Sequence, residues 1–128
     1  MTFSDDEIER YARHLVLAEL GGPGQQRLKA ARVALIGVGG VGAPAALYLA
    51  AAGVGTLRLI DDDTVALSNL QRQILFTGAD TGRAKVEAGA AALDALNPHV
   101  HIEPVAERLT AANAAALIAG CDLVLDGT

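Results

Sequence analysis

The sequence predicts an α/β fold with a parallel sheet in the order βαβαβαβ, preceded by two helices at the N-terminus. The first observation behind this prediction is the continuous apolar run at residues 32–36, which leads directly into glycines. Such a run is typical of a strand that is buried on both faces of a parallel sheet. The second observation is that strand-like and helix-like runs alternate along the rest of the chain, as right-handed βαβ crossovers require.

The N-terminal segment, residues 1–30, is predicted to be helical. One helix is expected over residues 4–20, because Ser4 and Glu7 fit the capping box S-x-x-E, in which each residue satisfies a free backbone N–H of the other. A second, shorter helix is expected over residues 23–30, with a proline in its first turn, where proline is tolerated.

Strands and helices then alternate over residues 31–128. Strands are predicted at 32–36, 56–60, 100–105 and 122–126, and helices at 41–52, 82–96 and 110–120. The first of these helices is apolar on nearly all sides and is expected to be buried. Thr110 is expected to cap the last one. Because the last strand ends close to the end of the chain with nothing to cover that side of the sheet, the chain is expected to be a fragment.

Composition and charge narrow the class of protein. The net charge of −5 argues against binding to nucleic acid, which needs a basic face. No apolar run reaches the roughly 18 residues of a membrane span, and the acidic N-terminus lacks the pattern of a signal peptide. We therefore expect a cytoplasmic protein that contacts no membrane. The single cysteine, Cys121, excludes an internal disulfide.

A glycine-rich turn follows the first predicted strand. Gly37, Gly39 and Gly42 fit the pattern G-x-G-x-x-G, and Gly40 lies within it. Glycine lets the backbone approach a phosphate closely, and the N-terminus of the following helix offers free N–H groups and partial positive charge. This order of strand, turn and helix is that of a Rossmann-like fold and predicts a phosphate site; the alternative is a tight turn without a ligand.

Acidic residues follow the second predicted strand. Asp61 stands about twenty residues after the glycines, where an acid in this fold accepts hydrogen bonds from ribose hydroxyls. Asp62 is interpreted as a solvated loop residue. For Asp63 three interpretations stay open: a loop acid, a metal ligand, or a residue that orients Arg72.

A polar loop and a lysine complete the candidate site. The loop is Ser68-Asn69-Leu70-Gln71-Arg72-Gln73, at the end of the sheet where ligands bind. Arg72 could pair with phosphate oxygens, or be an ordinary surface arginine. Lys85 falls in the first turn of a predicted helix, where a cation opposes the helix dipole unless an anion binds, or is a solvated helix residue.

These motifs resemble the ThiF/MoeB/HesA group, relatives of the ubiquitin-activating enzymes. The resemblance covers nearly the whole chain, and its most specific part is the loop from Ser68 to Gln73 with Lys85 beyond it. Further matching stretches are Arg10-Tyr11-Ala12-Arg13-His14, the glycine turn, Asp61-x-Asp63-x-Val65, Asn97-Pro98 and residues 122–126. The resemblance implies a Rossmann-like, ATP-binding half domain at residues 31–128.

The reaction that the resemblance implies is ATP-dependent adenylation. A ubiquitin-like sulfur-carrier protein, similar to MoaD or ThiS, would present its C-terminal glycine carboxylate to the α-phosphate of ATP with Mg²⁺, as in molybdopterin or thiamine biosynthesis. The residues implied to bind the nucleotide are Gly37, Gly39, Gly40, Gly42, Asp61, Asp63, Ser68, Asn69, Leu70, Gln71, Arg72 and Lys85. Arg72 and Lys85 would act on the reacting phosphates, and Arg13 resembles an arginine that reaches the partner's site in a homodimer.

The sequence also departs from the family's pattern. The family's last strand leads into Thr-Asp-Asn, whose aspartate helps to bind Mg²⁺ and ATP, whereas this chain ends at Asp126-Gly127-Thr128. A zinc site of paired CxxC motifs is expected only beyond that point. Two other hypotheses remain: an NAD-binding dehydrogenase domain, which accounts for the glycines and Asp61 alone, and a non-catalytic partner subunit.

Overall fold

Four parallel strands form the centre of the structure, a computed structural model that describes residues 2–128. The strands are β1 (Arg32–Ile36), β2 (Thr56–Ile60), β3 (His101–Val105) and β4 (Leu123–Asp126). The helices are α1 (Asp5–Arg10), α2 (Ala12–Leu15), α3 (Gly21–Ala30), α4 (Gly42–Ala52), α5 (Lys85–Leu96) and α6 (Ala114–Leu117). This architecture confirms the predicted Rossmann-like α/β class.

The order of the strands in the sheet is β3-β2-β1-β4, and every neighbouring pair is parallel. The chain runs outward from β1 to β2 and β3, and then returns to place β4 on the other side of β1. The carboxyl ends of β1 and β4 therefore lie at the point where the direction of the strand order reverses. In open parallel sheets this switch point is where ligands bind.

Helices α4 and α5 cover the central strands. Ala43, Ala46 and Ala50 on α4 are fully buried, and these small side chains allow the helix to lie close to the sheet. The predicted burial of this helix on all sides is wrong for its outer face, because Tyr48 is 78% exposed and no other part of the described chain covers it.

The N-terminal segment differs from its prediction. The capping box of Ser4 and Glu7 is present, but the helix expected over residues 4–20 is divided into α1 and α2 and ends at Leu15. The division falls at Tyr11, whose backbone leaves the helical region because its side chain is buried against the rest of the fold. Gly21 begins α3, whereas the prediction placed glycine there as a helix end.

Buried polar groups attach this segment to the sheet layer. Gln25 is fully buried and donates from Nε2 to the carbonyl of Ala52 at 2.7 Å. Asn97 donates from Nδ2 to the carbonyl of Ala50 and lies within hydrogen-bond distance of the Tyr11 hydroxyl, each at 2.8 Å. The C-terminal end of α4 is thus held by α3 and by the end of α5. The division of the chain at residue 30 stays a prediction.

Other element boundaries also differ from the predictions. The helix expected from residue 82 begins at Lys85, and the helix expected over 110–120 is reduced to α6. Thr110 does not cap it: the backbone N–H of Thr110 donates to Asn113 Oδ1 at 2.7 Å, and this local turn delays the start of the helix. Across residues 2–128, the helices are too short or too polar to span a bilayer.

Candidate nucleotide-binding site

The glycine turn connects the carboxyl end of β1 to the N-terminus of α4. Gly37 has a φ of +88°, which favours glycine, and its N–H donates to the carbonyl of Ile60 at 2.8 Å. A Cβ on Gly42 would lie 1.9 Å from the Gly37 carbonyl oxygen, so no other residue fits there without moving the backbone. Two of the three predicted motif glycines, Gly37 and Gly42, are therefore required by the geometry of the turn itself.

The N-terminus of α4 has no side-chain cap. Among the described residues, the N–H groups of Gly40 and Val41 have no hydrogen-bond acceptor. Free N–H groups and the helix dipole at such a terminus favour an anion. Gly40 adds open space, because the nearest atom to a Cβ there would be Arg72 Cδ at 3.6 Å.

Asp61 lies directly after β2 and holds the turn in place. Its Oδ2 accepts a hydrogen bond from the N–H of Val38, and its Oδ1 accepts one from the N–H of Asp63, both at 2.8 Å. Each carboxylate oxygen can accept a second bond. The carboxylate therefore anchors the glycine turn and retains lone pairs for a ligand hydroxyl.

Asp63 contacts Lys85 and makes no hydrogen bond or ion pair with Arg72, so the interpretation that Asp63 orients Arg72 is not observed. Lys85 Nζ lies 3.6 Å from Asp63 Oδ2, and the Lys85 backbone N–H donates to the Asp63 carbonyl at 3.0 Å. Lys85 is only 5% exposed, which excludes the alternative of a solvated helix lysine. The lysine is held in the first turn of α5 beside one carboxylate.

The loop between Asp63 and Lys85 is closed at its base. Thr64 and Ala84 form an antiparallel bridge, and the N–H of Val65 donates to the carbonyl of Arg83 at 2.8 Å. Leu75 and Phe76 anchor the far part of the loop in the core, with exposures of 3% and 5%. This pairing explains how residues 22 positions apart in the sequence, such as Asp63 and Lys85, come into contact.

Arg72 extends from this loop towards the glycine turn. Its Cδ and Nε lie 3.6 and 3.7 Å from the position that a Cβ on Gly40 would take. Its guanidinium makes one hydrogen bond, to the carbonyl of Ser68 at 3.3 Å, and is otherwise exposed. A guanidinium placed in this way can pair with an anion bound at the start of α4.

The remaining residues of the loop have different environments. Asn69 accepts a hydrogen bond at Oδ1 from the N–H of Ala66 at 2.9 Å and so stabilises the 3₁₀ turn Leu67–Asn69. Leu70 packs against the core, whereas Ser68 and Gln71 are exposed. Asn69 and Leu70 thus help to hold the loop, and ligand contacts by Ser68, Asn69, Leu70 and Gln71 stay predictions.

Gln73 was not among the predicted site residues. It is 3% exposed, and its Oε1 is buried without a hydrogen-bond partner in the described chain. An unpaired buried acceptor costs about 1–3 kcal/mol. Its Nε2 lies 3.7 Å from the position that a Cβ on Gly39 would take, and no other non-neighbouring atom of the described residues lies within 4 Å of that position.

A cleft of about 640 Å³ opens at the switch point of the sheet. It is lined by the carboxyl ends of β1, β2 and β4, by residues 107–109 and by the α6 region; among the lining residues are Gly37, Asp61, Leu109, Ile118, Val124 and Asp126. The size and the mixture of apolar walls with a few polar groups are typical of a small-molecule site. Residues 107–109 had no predicted role, because a cleft wall in an irregular segment has no periodic signal.

Asp126 lies at the end of β4, on the rim of this cleft. Its Oδ1 accepts hydrogen bonds from the hydroxyl and the N–H of Thr128. These bonds hold the pKa of the Asp126 carboxyl below its usual range, so the group is a carboxylate near neutral pH. Asp126 and Asp61 thus place negative charge on the cleft, whereas Arg72 and the α4 N-terminus provide positive potential beyond it.

Arg13 lies away from the glycine turn of its own chain. It is exposed on α2 and borders a groove with Tyr48 and Ala52, at the opposite end of α4 from Gly42. No hydrogen bond or ion pair of Arg13 is present within residues 2–128. The isolated chain therefore does not bring Arg13 together with Arg72 and Lys85.

The fold and the site together define a domain of the Rossmann-like type with a candidate anion site at its glycine turn. The profile of the ThiF family matches residues 11–128, and the chain belongs to this family. That match covers the glycine turn, Asp61 and Asp63, the loop from Ser68 to Gln73, and Lys85.

Two relatives from Escherichia coli K12 illustrate the similarity. The molybdopterin-synthase adenylyltransferase is 52% identical over 125 residues, which are 98% of this chain and 50% of the relative. The adenylyltransferase of the sulfur carrier protein ThiS is 48% identical over 125 residues, again 98% of this chain and 50% of the relative. The chain thus spans about half the length of these relatives.

A solved structure shows the same fold. The E. coli tRNA N6-threonylcarbamoyladenosine dehydratase TcdA, in complex with ATP, superimposes with a TM-score of 0.93 at 32% sequence identity. The similarity covers 100% of this chain and 52% of that chain.

Proposed function

We propose that the protein is an adenylyltransferase that activates the C-terminal glycine carboxylate of a ubiquitin-like sulfur-carrier protein with ATP. The observation that carries this proposal is the position of Arg72 against Gly40, at the uncapped N-terminus of α4. A cation above free peptide N–H groups is suited to a phosphate chain, and a protein with the same fold, the dehydratase TcdA, has been solved with ATP.

The nucleotide would lie across the switch point of the sheet. The nucleoside would occupy the cleft beside Leu109 and Ile118, with its ribose hydroxyls near Asp61. The phosphates would then reach the glycine turn, where Gly40 leaves room and Arg72 supplies charge. ATP would enter as its Mg²⁺ complex, since magnesium is usually held by phosphates, water and one or two carboxylates.

The reaction needs positioning and electrostatic stabilisation more than covalent chemistry by the protein. A carboxylate oxygen of the carrier's last glycine would attack the α-phosphorus, and the bond to the oxygen that bridges to the β-phosphate would break. The products are an acyl-adenylate and pyrophosphate. Arg72 and Lys85 would stabilise the negative charge that develops on the α-phosphate and on the leaving pyrophosphate.

We further propose that two copies of the full-length protein form a homodimer in which Arg13 acts on the partner's site. The exposed position of Arg13, beside the uncovered side chain of Tyr48, supports this arrangement. Within residues 2–128 of a single chain, Arg13 makes no hydrogen bond or ion pair. The proposal predicts that a mixture of Arg13→Ala and Arg72→Ala proteins regains part of the activity that each has lost, because mixed dimers contain one intact site.

An NAD-binding domain is the second candidate, and the glycine turn with Asp61 favours it. This candidate gives no role to the position of Arg72 against Gly40, nor to the ion pair of the buried Lys85 with the exposed Asp63. Carrier-dependent exchange of labelled pyrophosphate into ATP by the full-length protein tests the two. The adenylation proposal predicts exchange only with a carrier that has its last glycine. Tight NAD⁺ binding that ATP does not displace, with no exchange, would contradict it.

A further inference from the structure

Gln73 follows Arg72 in the loop above the glycine turn, and the oxygen of its carboxamide is buried without a hydrogen-bond partner among the described residues. We propose that Gln73 is a positioning residue for the nucleotide: its Nε2–H donates to a phosphate oxygen held at the N-terminus of α4. This inference rests on the proposed function, because it assumes that a nucleotide phosphate binds at the turn.

The carboxamide nitrogen of Gln73 lies beside the glycine turn. Within residues 2–128, Gln73 Nε2 is the one atom of a non-neighbouring residue within 4 Å of the position that a Cβ on Gly39 would take. The next glycine, Gly40, offers an N–H without an acceptor. The amide of Gln73 therefore adds a donor beside the free peptide N–H groups of the turn, where an anion needs several donors at once.

The carboxamide oxygen of Gln73 is buried and unpaired among the described residues. Gln73 is 3% exposed, yet Oε1 has no hydrogen-bond partner among residues 2–128. An unpaired buried acceptor lowers stability, and an apolar side chain of similar shape would avoid that loss. The fold by itself thus favours Met or Leu at this position. The amide is better explained by a ligand that accepts a hydrogen bond from its nitrogen, Nε2.

Arg72 and Gln73 would then contribute differently to binding. Arg72 is exposed and mobile about several bonds, so it contributes charge. Gln73 is buried, so it contributes a neutral donor at a fixed position. Loss of the neutral bond should weaken ATP binding about tenfold, the usual effect of one hydrogen bond to a charged group.

The test compares Gln73→Met, Gln73→Glu, Arg72→Ala and the control Arg27→Ala in the full-length protein. Arg27 is exposed on α3, away from the turn. Calorimetric titration with MgATP gives Kd, and thermal unfolding without nucleotide gives Tm. We expect Gln73→Met to keep or raise Tm while Kd rises about tenfold. Gln73→Glu, which has nearly the same shape but places a negative charge near the phosphates, should weaken binding further.

The opposite pattern identifies a structural role. If Gln73→Met lowers Tm and leaves Kd unchanged, or if Gln73→Glu binds MgATP as the wild type does, the inference is overturned. Should Gln73→Met fail to fold, Gln73→Glu alone decides. A third outcome is that the wild type and both Gln73 variants bind MgATP equally well, whereas Arg72→Ala does not bind it. This would reject the role of Gln73 but not the proposed function. Absence of MgATP binding in the wild type would reject the proposed function as well.

Discussion

Lys85 and Asp63 contact each other twice: the ammonium nitrogen lies 3.6 Å from a carboxylate oxygen, and the Lys85 N–H donates to the Asp63 carbonyl at 3.0 Å. The same Asp63 donates its own N–H to Asp61, which in turn accepts the N–H of Val38. A continuous set of hydrogen bonds thus connects Lys85 on α5 to the glycine turn.

Lys85→Met is predicted to abolish most of the activity without unfolding the protein. Methionine keeps the apolar stem of a side chain that is 5% exposed, and removes only the charge. If the ammonium stabilises charge on the reacting phosphates, pyrophosphate exchange should fall by about 10²–10³-fold. Arg27→Ala serves as the control for loss of a surface cation and should exchange normally. Equal exchange rates in Lys85→Met and wild type would contradict the role of Lys85.

Gly42→Ala and Gly40→Ala should have different effects. A Cβ at Gly42 would collide with the Gly37 carbonyl at 1.9 Å, so Gly42→Ala should lower the free energy of unfolding by about 1–3 kcal/mol or more. A Cβ at Gly40 meets nothing closer than 3.6 Å, so Gly40→Ala should fold normally but reduce ATP affinity, because the methyl group occupies the path of the phosphates. Urea denaturation and calorimetric titration measure the two effects, with Gly78→Ala as the unhindered control.

Asp61→Ala should weaken both the fold and nucleotide binding. The substitution leaves the N–H groups of Val38 and Asp63 without their acceptor, and a hydrogen bond to a charged group contributes about 1.5–3 kcal/mol. Asp94→Ala, at an exposed position on α5, is the matched control. Chemical denaturation gives the loss of stability. A variant that is as stable as Asp94→Ala would show that Asp61 does not anchor the turn.

The stability of the protein should depend on pH through Asp6. Hydrogen bonds from His99 and Arg10 lower the pKa of the Asp6 carboxyl below its usual value of 3.8. The folded protein therefore binds fewer protons than the unfolded chain in this range, and the stabilisation is complete above the usual value. It is lost as the pH falls below 3.8, through the lowered pKa of the folded state.

The matching variant is Asp6→Asn. Its free energy of unfolding should be lower than that of the wild type at pH 6, and the difference should shrink as the pH falls below the usual carboxyl value. Urea titrations across this range give both curves. A difference that stays constant with pH would show that the ion pair with Arg10 and His99 does not stabilise the fold.

Much of the fold follows from local patterns, and the differences have physical causes. The strand at residues 32–36 and the glycine turn were predictable because apolar runs and glycine spacing are local signals. The break at Tyr11 was not, since the buried Tyr11 side chain contacts residues distant in the sequence, such as Asn97, 86 positions away. The burial of Lys85 likewise depends on the bridge between Thr64 and Ala84, which no periodicity records.

The sequence indicated which residues belong to the candidate site, but it did not indicate most of the contacts between them. Motif spacing identified Arg72, Lys85 and Asp61, but it did not show that Asp63 pairs with Lys85. Gln73 was passed over because a glutamine in a polar loop carries no signal of burial. Its 3% exposure arises from the anchoring of the following Leu75 and Phe76 in the core.

Transfer of label from ATP to the carrier tests the central claim most directly. The full-length protein is incubated with a ubiquitin-like carrier and with ATP labelled at either the α- or the γ-phosphorus, and the protein-bound label is measured under conditions that preserve acyl-adenylates. The account predicts that the α-label appears on the carrier's C-terminal glycine, that the γ-label leaves as pyrophosphate, and that Arg72→Ala abolishes both. Transfer of the γ-label to the carrier, or no transfer of either label by the wild type, would contradict it.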